Sequence, residues 1–355
     1  MKAPYPFRRP SRRRVAAGVG VVGAALMVSA SVALPGASAA RSHASKIAWA
    51  DVNVGLALSP PKVIFMAPYV AQQEGFFAKE HLHVHFISMP NGLQTELGTT
   101  AGSITFGFSS ATDAIESAAA NAPIHAIWSY GMKLDTQCIA APGITSPKQL
   151  IGQPVGSTGT DGFSETTLAA CLFPDVNISQ VKPITMTRSE FVPALVSGRI
   201  KVAVFHADDA YVVLHQLKGA NVLTDEYKTL PLWWYGGVTS LDSYTSHHVQ
   251  ITERFLTAMV MADRWMNNRA NTNALINIGV KATQEDRGAV SYAVKFLQNE
   301  KTWPNNSGLI PKMEAYTAKK LYQFKEIDHV PTYSQVVDNT YIQAVLKKLG
   351  RVPGQ

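Results

Sequence analysis

The 355-residue chain has only two cysteines and few charged residues, and beyond its N-terminal segment it has no long apolar run. Two cysteines exclude a disulfide-rich scaffold and a zinc site built from four thiolates. Charged residues make up 16% and hydrophobic residues 46%, a balance that excludes a disordered chain. No nucleophile elbow, Walker loop or dinucleotide fingerprint is present, so the common enzyme motifs give no support for catalysis.

The first 40 residues contain no acidic residue. Six basic residues lie there, namely Lys2, Arg8, Arg9, Arg12, Arg13 and Arg14. An apolar stretch over residues 15–34 follows, and then the small residues Ala37-Ser38-Ala39. This order is typical of an export signal and predicts cleavage after Ala39. Without the signal the net charge falls from +7 to +1, which removes nucleic acid and acidic membranes as expected partners.

The route of export and the state of the cysteines stay open at this point. Residues 11–15 resemble a twin-arginine signal, although a general secretion signal also carries such arginines. The apolar stretch is about long enough for an uncleaved anchor, but its small residues favour removal, so we predict a periplasmic or extracellular protein. Cys138 lies in a strand-like run and Cys171 in a helix-like run. A disulfide is possible in an oxidising compartment, and we predict two separate buried thiols instead.

The order of the segments predicts the fold class. Residues 46–219 alternate strand-like and helix-like segments, which is typical of parallel sheets with crossover helices. The alternation breaks at Pro142-Gly143 and then restarts, while the chain from Thr252 onward is predicted to be helical. We therefore expect an α/β fold with two lobes around a cleft, the place where small molecules usually bind.

Four segments carry a resemblance to a known family. They are APYVAQQEGFF at 67–77, AGSITFGF at 101–108, SPKQLIGQPVG at 146–156 and ALVSGRIKVA at 194–203. In this order they resemble periplasmic solute-binding proteins of the nitrate, sulfonate and taurine type, which are grouped with thiamine-pyrimidine-binding proteins. The resemblance runs from about Val52 to Asn271. It implies a type II periplasmic-binding-protein fold with two crossings at the hinge. Lobe one would comprise 46–142 and 231–355, and lobe two 143–230.

The same resemblance implies a function. The protein is expected to be an extracytoplasmic, monomeric receptor of an ABC importer, without a cofactor and without catalytic activity. It would capture a small organic anion or zwitterion, such as a sulfonate or taurine, and deliver it to a membrane permease. A thiamine-related pyrimidine as ligand, an exported enzyme and a ligand sensor are the alternatives. Many members carry Glu-Pro after the strand that ends here at Phe205, where this chain has His206-Ala207, so that ligand contact is not carried over.

The ligand is expected at the carboxyl ends of the strands, where helix N-termini present free N–H groups. The candidate ligand-binding residues lie in the loops at these ends and in the aromatic run 233–235. They are Phe65, Met66, Phe108, Ser109, Ser110, Thr160, Asp161, Gly162, Ser164, Asp208 and Trp233. Backbone dipoles are predicted to hold an anion without an arginine, and the two aspartates are candidates for an amine. The hydroxyls are equally suited to capping helices, and Trp233 to core packing.

Three alternating histidines form a candidate metal site. His81, His83 and His85 would share one face of a strand and could bind zinc. We favour a solvated outer face for them, so no metal is expected.

Overall fold

The computed structural model describes residues 47–58, 60–159 and 162–353, so the predicted export signal at 1–39 lies outside the described residues. The described strands are β1 (Ala50–Leu56), β2 (Leu82–Ser88), β3 (Phe106–Ser110), β4 (Ile124–Gly131), β5 (Gln137–Ala140), β6 (Pro154–Ser157), β7 (Lys182–Thr185), β8 (Val202–Phe205), β9 (Asn221–Asp225) and β10 (Gly236–Leu241).

Helices surround these strands and dominate the C-terminal third. They are α1 (Met66–Gln73), α2 (Phe76–Lys79), α3 (Gly92–Thr100), α4 (Ala111–Ala119), α5 (Phe163–Leu172), α6 (Phe191–Val196), α7 (Ala207–Gln216), α8 (Glu226–Thr229), α9 (Asp242–His247), α10 (Val249–Asn267), α11 (Thr272–Thr283), α12 (Arg287–Glu300), α13 (Pro311–Phe324), α14 (Tyr333–Val336) and α15 (Thr340–Leu349). Short 3₁₀ helices include Val63–Phe65 and Arg188–Glu190. Within the described ranges, no helix combines the length and the apolar character that a membrane crossing requires.

The first sheet has the strand order β2-β1-β3-β10-β4. β1 pairs in parallel with β2 and β3, as the alternating pattern predicted. β10 was not predicted from the sequence; it runs antiparallel between β3 and β4. Gly236 opens this strand at a place where an added Cβ would collide with the Tyr130 hydroxyl and the Ser109 carbonyl. Position 236 therefore requires glycine, because Tyr130 and the Ser109 backbone approach it closely. The next residue, Gly237, also has no side chain.

The second sheet has the order β8-β5-β9, and β6 pairs in parallel with β7 beside it. Alternation along β8 sends Val202 and Val204 into one apolar cluster and Ala203 and Phe205 into another, so both faces of the sheet are covered. The sheet includes β5, which lies before residue 143, where the sequence analysis placed the start of lobe two. The chain passes between the two sheets twice, in 132–136 and in 230–235.

The C-terminal helices pack on the first sheet and its helices. Phe255 of α10 stacks on Phe106 of β3 with ring centroids 3.9 Å apart. Residues of α10, α11, α12 and α15 share one apolar cluster with β1 and β3. Helix α12 also lies against α7, which follows the strand β8 of the second sheet. The helical character predicted for the chain after Thr252 is confirmed.

Cys138 and Cys171 form a disulfide, so the prediction of two separate thiols was wrong. Their Cα atoms lie 6.1 Å apart, within the usual range for a disulfide. Cys138 points from β5 to the face of the sheet that α5 covers, and Cys171 lies on the buried side of α5. The two cysteines are separated by 33 residues in sequence, and only the packing of α5 on β5 brings the sulfurs together.

The three alternating histidines do not share one strand face. His81 precedes β2 in a left-handed conformation with φ 53°. His83 stacks on Trp49 with centroids 4.4 Å apart, and His85 Nε2 lies 3.1 Å from Asp51 Oδ1. His83 and His85 are exposed, as favoured from the sequence.

Candidate ligand-binding site

A cavity of about 50 Å³ lies where the carboxyl ends of strands from both sheets meet. The first sheet contributes the loops after β1 and β2, the ends of β3 and β4, and the segment before β10. The second sheet contributes the end of β8, and the β6–β7 pair beside it contributes the end of β6 and the loop after β7. The lining residues are Ala57, Leu58, Phe65, Pro90, Asn91, Gly92, Ser110, Asp113, Tyr130, Thr158, Phe163, Arg188, His206 and Tyr235. This is the location expected for a ligand in an α/β fold.

Four aromatic rings form a continuous wall of the cavity. The Phe65 and Tyr130 centroids lie 5.0 Å apart, those of Tyr130 and Tyr235 5.6 Å, and those of Tyr235 and Phe163 5.3 Å. The wall thus runs from the first sheet, through the segment before β10, to helix α5 beside the second sheet. Such rings offer flat apolar surfaces and negative π faces, which suit an organic ligand or a cationic group.

Arg188 brings a buried positive charge to the cavity. It opens the 3₁₀ helix that follows β7, and its guanidinium lies 5.5 Å from the ring centroids of Phe163 and Phe191. Nη1 donates to the carbonyl of Val204 at 3.1 Å, and no carboxylate of the described residues forms an ion pair with it. Burial lowers the pKa of Arg188, but an arginine stays charged at any physiological pH. The remaining guanidinium N–H groups are suited to an anionic partner.

Asp113 brings a carboxyl group to the same cavity. It is part of a capping box at the start of α4: Oδ2 accepts from the Ser110 N–H at 3.0 Å and from the Ser110 hydroxyl at 2.5 Å. Added Cβ atoms at Gly92 or Gly162 would collide with it or press on it, so both glycines let their backbones approach the carboxyl. Burial raises the pKa of Asp113.

His206 stands at the end of β8 and is hydrogen-bonded on one side of its ring. Nδ1 lies 3.0 Å from Asp135 Oδ1 and 3.1 Å from the Tyr235 hydroxyl. Asp135 Oδ2 also accepts from the backbone N–H of Ala207. Both His206 and Asp135 are almost fully buried, at 1% and 2% exposure.

A buried ion cluster forms around Lys62, in the loop after β1. Lys62 Nζ donates to Asp209 Oδ1 at 2.7 Å and to Glu285, and Asp208 accepts from the Val63 N–H at 3.1 Å. Burial alone would lower the pKa of Lys62, but the three carboxylates raise it above its ordinary value. Burial raises the pKa of Asp209, and it raises that of Glu285 to about 8. Lys62 supplies one positive charge to three carboxylates.

By their spacing alone, the same three carboxylates could bind a metal ion. Oxygens of Asp208, Asp209 and Glu285 lie within 4.8 Å of one another. The Lys62 ammonium already supplies positive charge at this position. We therefore assign the cluster to ion pairing.

The structure brings only part of the predicted site to the cavity. Phe65 and Ser110 line it, but the Ser110 hydroxyl is engaged in the capping box. Gly162 is the N-cap of α5 and Ser164 is buried in its first turn, next to the cavity-lining Phe163. Thr160 and Asp161 lie outside the described residues.

The other predicted residues have structural contacts. Met66, Phe108 and Trp233 are buried in the apolar cluster around the first sheet and do not line the cavity. Ser109 donates to the buried Glu96. Asp208 caps the turn at Val63 instead of facing the cavity. The aromatic run does not form a strand, since β10 begins after it, and its third ring, Tyr235, lines the cavity.

The lining residues that were not predicted as contacts include Asp113, Tyr130, Arg188, His206 and Tyr235, although Tyr235 lies in the aromatic run that was singled out. Each lies within a few residues of a strand end, which is the signal that was available. The sequence predicted an anion held by backbone dipoles without an arginine, whereas the structure places Arg188 at the cavity. Its loop follows the short strand β7, and nothing in the local pattern distinguishes it from a solvated arginine.

Comparison with known proteins agrees with this architecture. The family model described as NMT1/THI5 like matches residues 63–268. None of the curated proteins compared with the chain matches it. The ligand-binding component of an ABC-type import system from Staphylococcus aureus, with zinc bound, has 11% identity and a TM-score of 0.69, with 83% of this chain and 98% of that chain covered.

Two further solved structures show the range of proteins with this fold. The alkanesulfonate-binding protein SsuA from Xanthomonas axonopodis pv. citri, bound to MOPS, has 13% identity and a TM-score of 0.63, covering 81% of this chain and 98% of that one. The desulfurization enzyme DSZB has 11% identity and a TM-score of 0.60, covering 84% and 99%. At these identities the likeness establishes the fold, which is that of the periplasmic binding proteins. Since the matched segment covers more than half of the chain, the protein belongs to the NMT1/THI5-like family.

Proposed function

We propose that the protein is an exported, monomeric receptor of an ABC importer that captures a small organic anion or zwitterion and delivers it to a permease. The observation that carries this proposal is the Arg188 guanidinium, which is buried at the cavity with one hydrogen bond to the protein and no ion-pair partner among the described residues. A buried charge is costly unless it is paired. An anionic ligand would pair with it.

Asp113 and the aromatic wall favour a zwitterion over a simple anion. The carboxyl group of Asp113 lines the same cavity as Arg188, so the site offers opposite charges to one small ligand. An ammonium group would gain from Asp113 and from the π faces of Tyr130 and Tyr235. A taurine-like molecule has this distribution of charge. A thiamine-related pyrimidine would use the rings and Asp113 but would leave Arg188 unpaired.

Ligand capture would proceed by closure of two lobes about a hinge. We assign lobe one to 46–142 and 231–355 and lobe two to 143–230, with the exception that β5 belongs to the second sheet. Both sheets supply cavity walls, and the cavity of about 50 Å³ is far smaller than the usual pockets of about 300 Å³ or more. The proposal therefore requires the lobes to separate for ligand entry. Export would follow from the signal at 1–39.

The proposal is tested by native mass spectrometry of protein purified from its own cells, followed by calorimetric titration with taurine and methanesulfonate. We expect a co-purified ligand with an anionic group, and tighter binding of taurine because methanesulfonate lacks the ammonium that Asp113 would face. Arg188→Gln should weaken binding of either probe by about 30-fold or more, because it removes one side of a buried charge pair. Arg199→Gln is the matched control, since Arg199 is exposed.

Two results would contradict the proposal. A co-purified neutral or purely cationic ligand would overturn the ligand class. Equal loss of binding in Arg188→Gln and Arg199→Gln would remove Arg188 from the site. Binding of methanesulfonate as tight as that of taurine would reject the zwitterion and leave the anion.

An exported enzyme is the second candidate, because His206 and Asp135 form a hydrogen-bonded pair at the cavity. Such a pair serves as a general base when a nucleophile or a water lies beside it. Both cysteines are in the disulfide, and the Ser110 hydroxyl is used in capping. We expect the co-purified ligand to be recovered with unchanged mass after prolonged incubation with the protein, and a new product would favour the enzyme.

A further inference from the structure

His206 joins the cavity to both segments that pass between the sheets. Asp135 belongs to the first passage, 132–136, and Tyr235 to the second, 230–235. The Nδ1 atom of one imidazole lies within hydrogen-bond distance of a side-chain oxygen from each. The ring itself lines the cavity. One side of the ring is therefore held by the two passages, and the other side is presented to a ligand.

The hydrogen atoms on this cluster can be assigned from its chemistry. Nδ1 carries one proton at most, and the carboxylate of Asp135 is a stronger acceptor than the phenol of Tyr235. With Nδ1–H donated to Asp135, the tautomer is fixed, and Tyr235 cannot donate to the same nitrogen. Its O–H hydrogen is then available to an acceptor in the cavity. Nε2 has no hydrogen-bond partner among the described residues, so it is the ring nitrogen left for a ligand.

We propose that His206 is a specificity-determining residue that recognises an oxyanionic group through Nε2–H and takes up a proton when that group binds. Asp135 is its positioning residue. This inference rests on the proposed function and extends it. The ligand oxyanion would receive donors from three places, namely the Arg188 guanidinium, the Tyr235 hydroxyl and protonated His206.

The groups that face His206 decide the direction of the proton transfer. Asp135, in contact, and Asp209, on the same helix, stabilise the imidazolium. Arg188 and the rings of Phe163 and Tyr235 line the other sides, and the positive guanidinium opposes protonation in the free protein. An anion placed between Arg188 and Nε2 offsets that repulsion. The imidazole would then gain a proton from solvent.

A second titratable group lies across the cavity and could give the same signal. The carboxyl group of Asp113 would take up a proton if an anion approached it. The variants described below distinguish proton uptake by His206 from uptake by Asp113, because only uptake by His206 depends on Asp135.

The experiment is calorimetric titration of the purified protein with methanesulfonate and taurine at pH 7.5, in two buffers that differ in ionisation enthalpy. The difference in observed heat gives the number of protons taken up on binding. We expect clear uptake in the wild type, and affinity that rises as the pH is lowered from 8 to 6. His206→Gln should abolish the uptake and weaken methanesulfonate binding about tenfold or more, the loss of one charge-assisted hydrogen bond. Asp135→Asn should reduce the uptake and flatten the pH profile.

His215→Gln is the matched control, because His215 is exposed at the far end of the same helix and should change neither quantity. Binding by the wild type without proton uptake, or uptake that persists in His206→Gln, would overturn the role of His206 and leave the receptor function intact. Failure of the wild type to bind either probe would reject the proposed ligand class and this inference with it. Circular dichroism of each variant excludes misfolding as the cause of a loss.

Discussion

At the scale of single residues, the buried carboxyl group of Asp263 on α10 is expected to lower the free energy of unfolding. Its side chain is fully buried, and neither carboxyl oxygen has a hydrogen-bond partner among the described residues. Burial raises the pKa of Asp263 well above its ordinary value, so the folded protein retains this proton to a higher pH than the unfolded chain does. The unfolded chain loses that proton at a much lower pH. Unfolding therefore becomes easier as the pH rises above the ordinary pKa, by up to about 1.4 kcal/mol per pH unit.

We predict that Asp263→Asn removes this pH dependence. The variant should match the wild type in its free energy of unfolding near pH 4 and exceed it by more than about 1 kcal/mol at pH 8. Urea unfolding at the two pH values measures the difference. Asp51→Asn is the control at an exposed position. An Asp263→Asn variant that is less stable than the wild type at both pH values would mean that the carboxylate has a partner in solution.

Arg188 and Asp113 illustrate what the neighbours of a residue add to its chemistry. Each was visible in the sequence as an ordinary polar residue near a strand end. Asp113 is held by the capping box of α4, and Arg188 by the carbonyl of Val204 and two phenylalanine rings. Both line one small cavity although they are about 75 residues apart in sequence, a proximity that local patterns do not encode.

At the scale of elements, the disulfide joins strand β5 of the second sheet to helix α5, which packs on that sheet. Cys138 and Cys171 lie in an apolar cluster with Leu168 and Val204, so the bridge reinforces packing that is already present. We predict that Cys138→Ala with Cys171→Ala lowers the free energy of unfolding by about 2–4 kcal/mol, because the loop that the bridge closes becomes unconstrained in the unfolded chain. Denaturant unfolding with and without a reductant measures this loss.

The double variant also tests whether the bridge forms in the protein. If the disulfide is present, a reductant should destabilise the wild type and have no effect on the double alanine variant. An equal response of the two proteins, or none, would contradict the pairing. Ligand affinity should be nearly unchanged, since neither cysteine lines the cavity.

At the scale of the whole molecule, Lys62 holds together three distant segments. The residue lies in the loop after β1, Asp209 lies on α7 beside the second sheet, and Glu285 precedes α12. Removing one partner from a buried ion cluster leaves the others uncompensated, which costs about 3–5 kcal/mol. We predict a loss of that size for Lys62→Met at pH 7, measured by urea unfolding.

The pH dependence of this loss has a definite sign. Without the ammonium, the carboxyl groups of Asp209 and Glu285 should keep their protons in the folded state, so the folded state binds more protons than the unfolded chain. The stability of Lys62→Met should then rise as the pH falls from 7 to 5, where the wild type changes less. Adding Asp209→Asn and Glu285→Gln to Lys62→Met should restore most of the loss. A Lys62→Met variant as stable as the wild type would show that the ion cluster makes no net contribution to the free energy of unfolding.

The order of strands and helices was predictable because hydrophobic periodicity is a local property. The alternation of strands and helices over residues 46–219 and the helical character after Thr252 follow the hydrophobic pattern. β10 was missed because its first two residues are glycines and its buried residues do not alternate with polar ones. The predicted position of the site, at the strand ends, also followed from topology alone.

The identity of the site residues was less accessible, for a physical reason. Of the predicted contacts, Phe65 and Ser110 line the cavity, whereas Trp233 is buried away from it and Tyr235, which is also buried, lines the cavity wall. Which ring of the run 233–235 turns toward the ligand depends on how the segment packs before β10 begins. That packing is decided by Gly236 and its approach to Tyr130, residues that meet only in the folded chain.

By itself, the sequence determined the fold class, the alternation of strands and helices and the resemblance to a family, since all of these depend on residues close together in the chain. The tertiary structure alone decided the antiparallel insertion of β10, the disulfide, the Lys62 cluster and the opposition of Arg188 to Asp113. Each of these depends on contacts between residues far apart in sequence. These contacts stabilise the protein only when the two sheets pack in one arrangement.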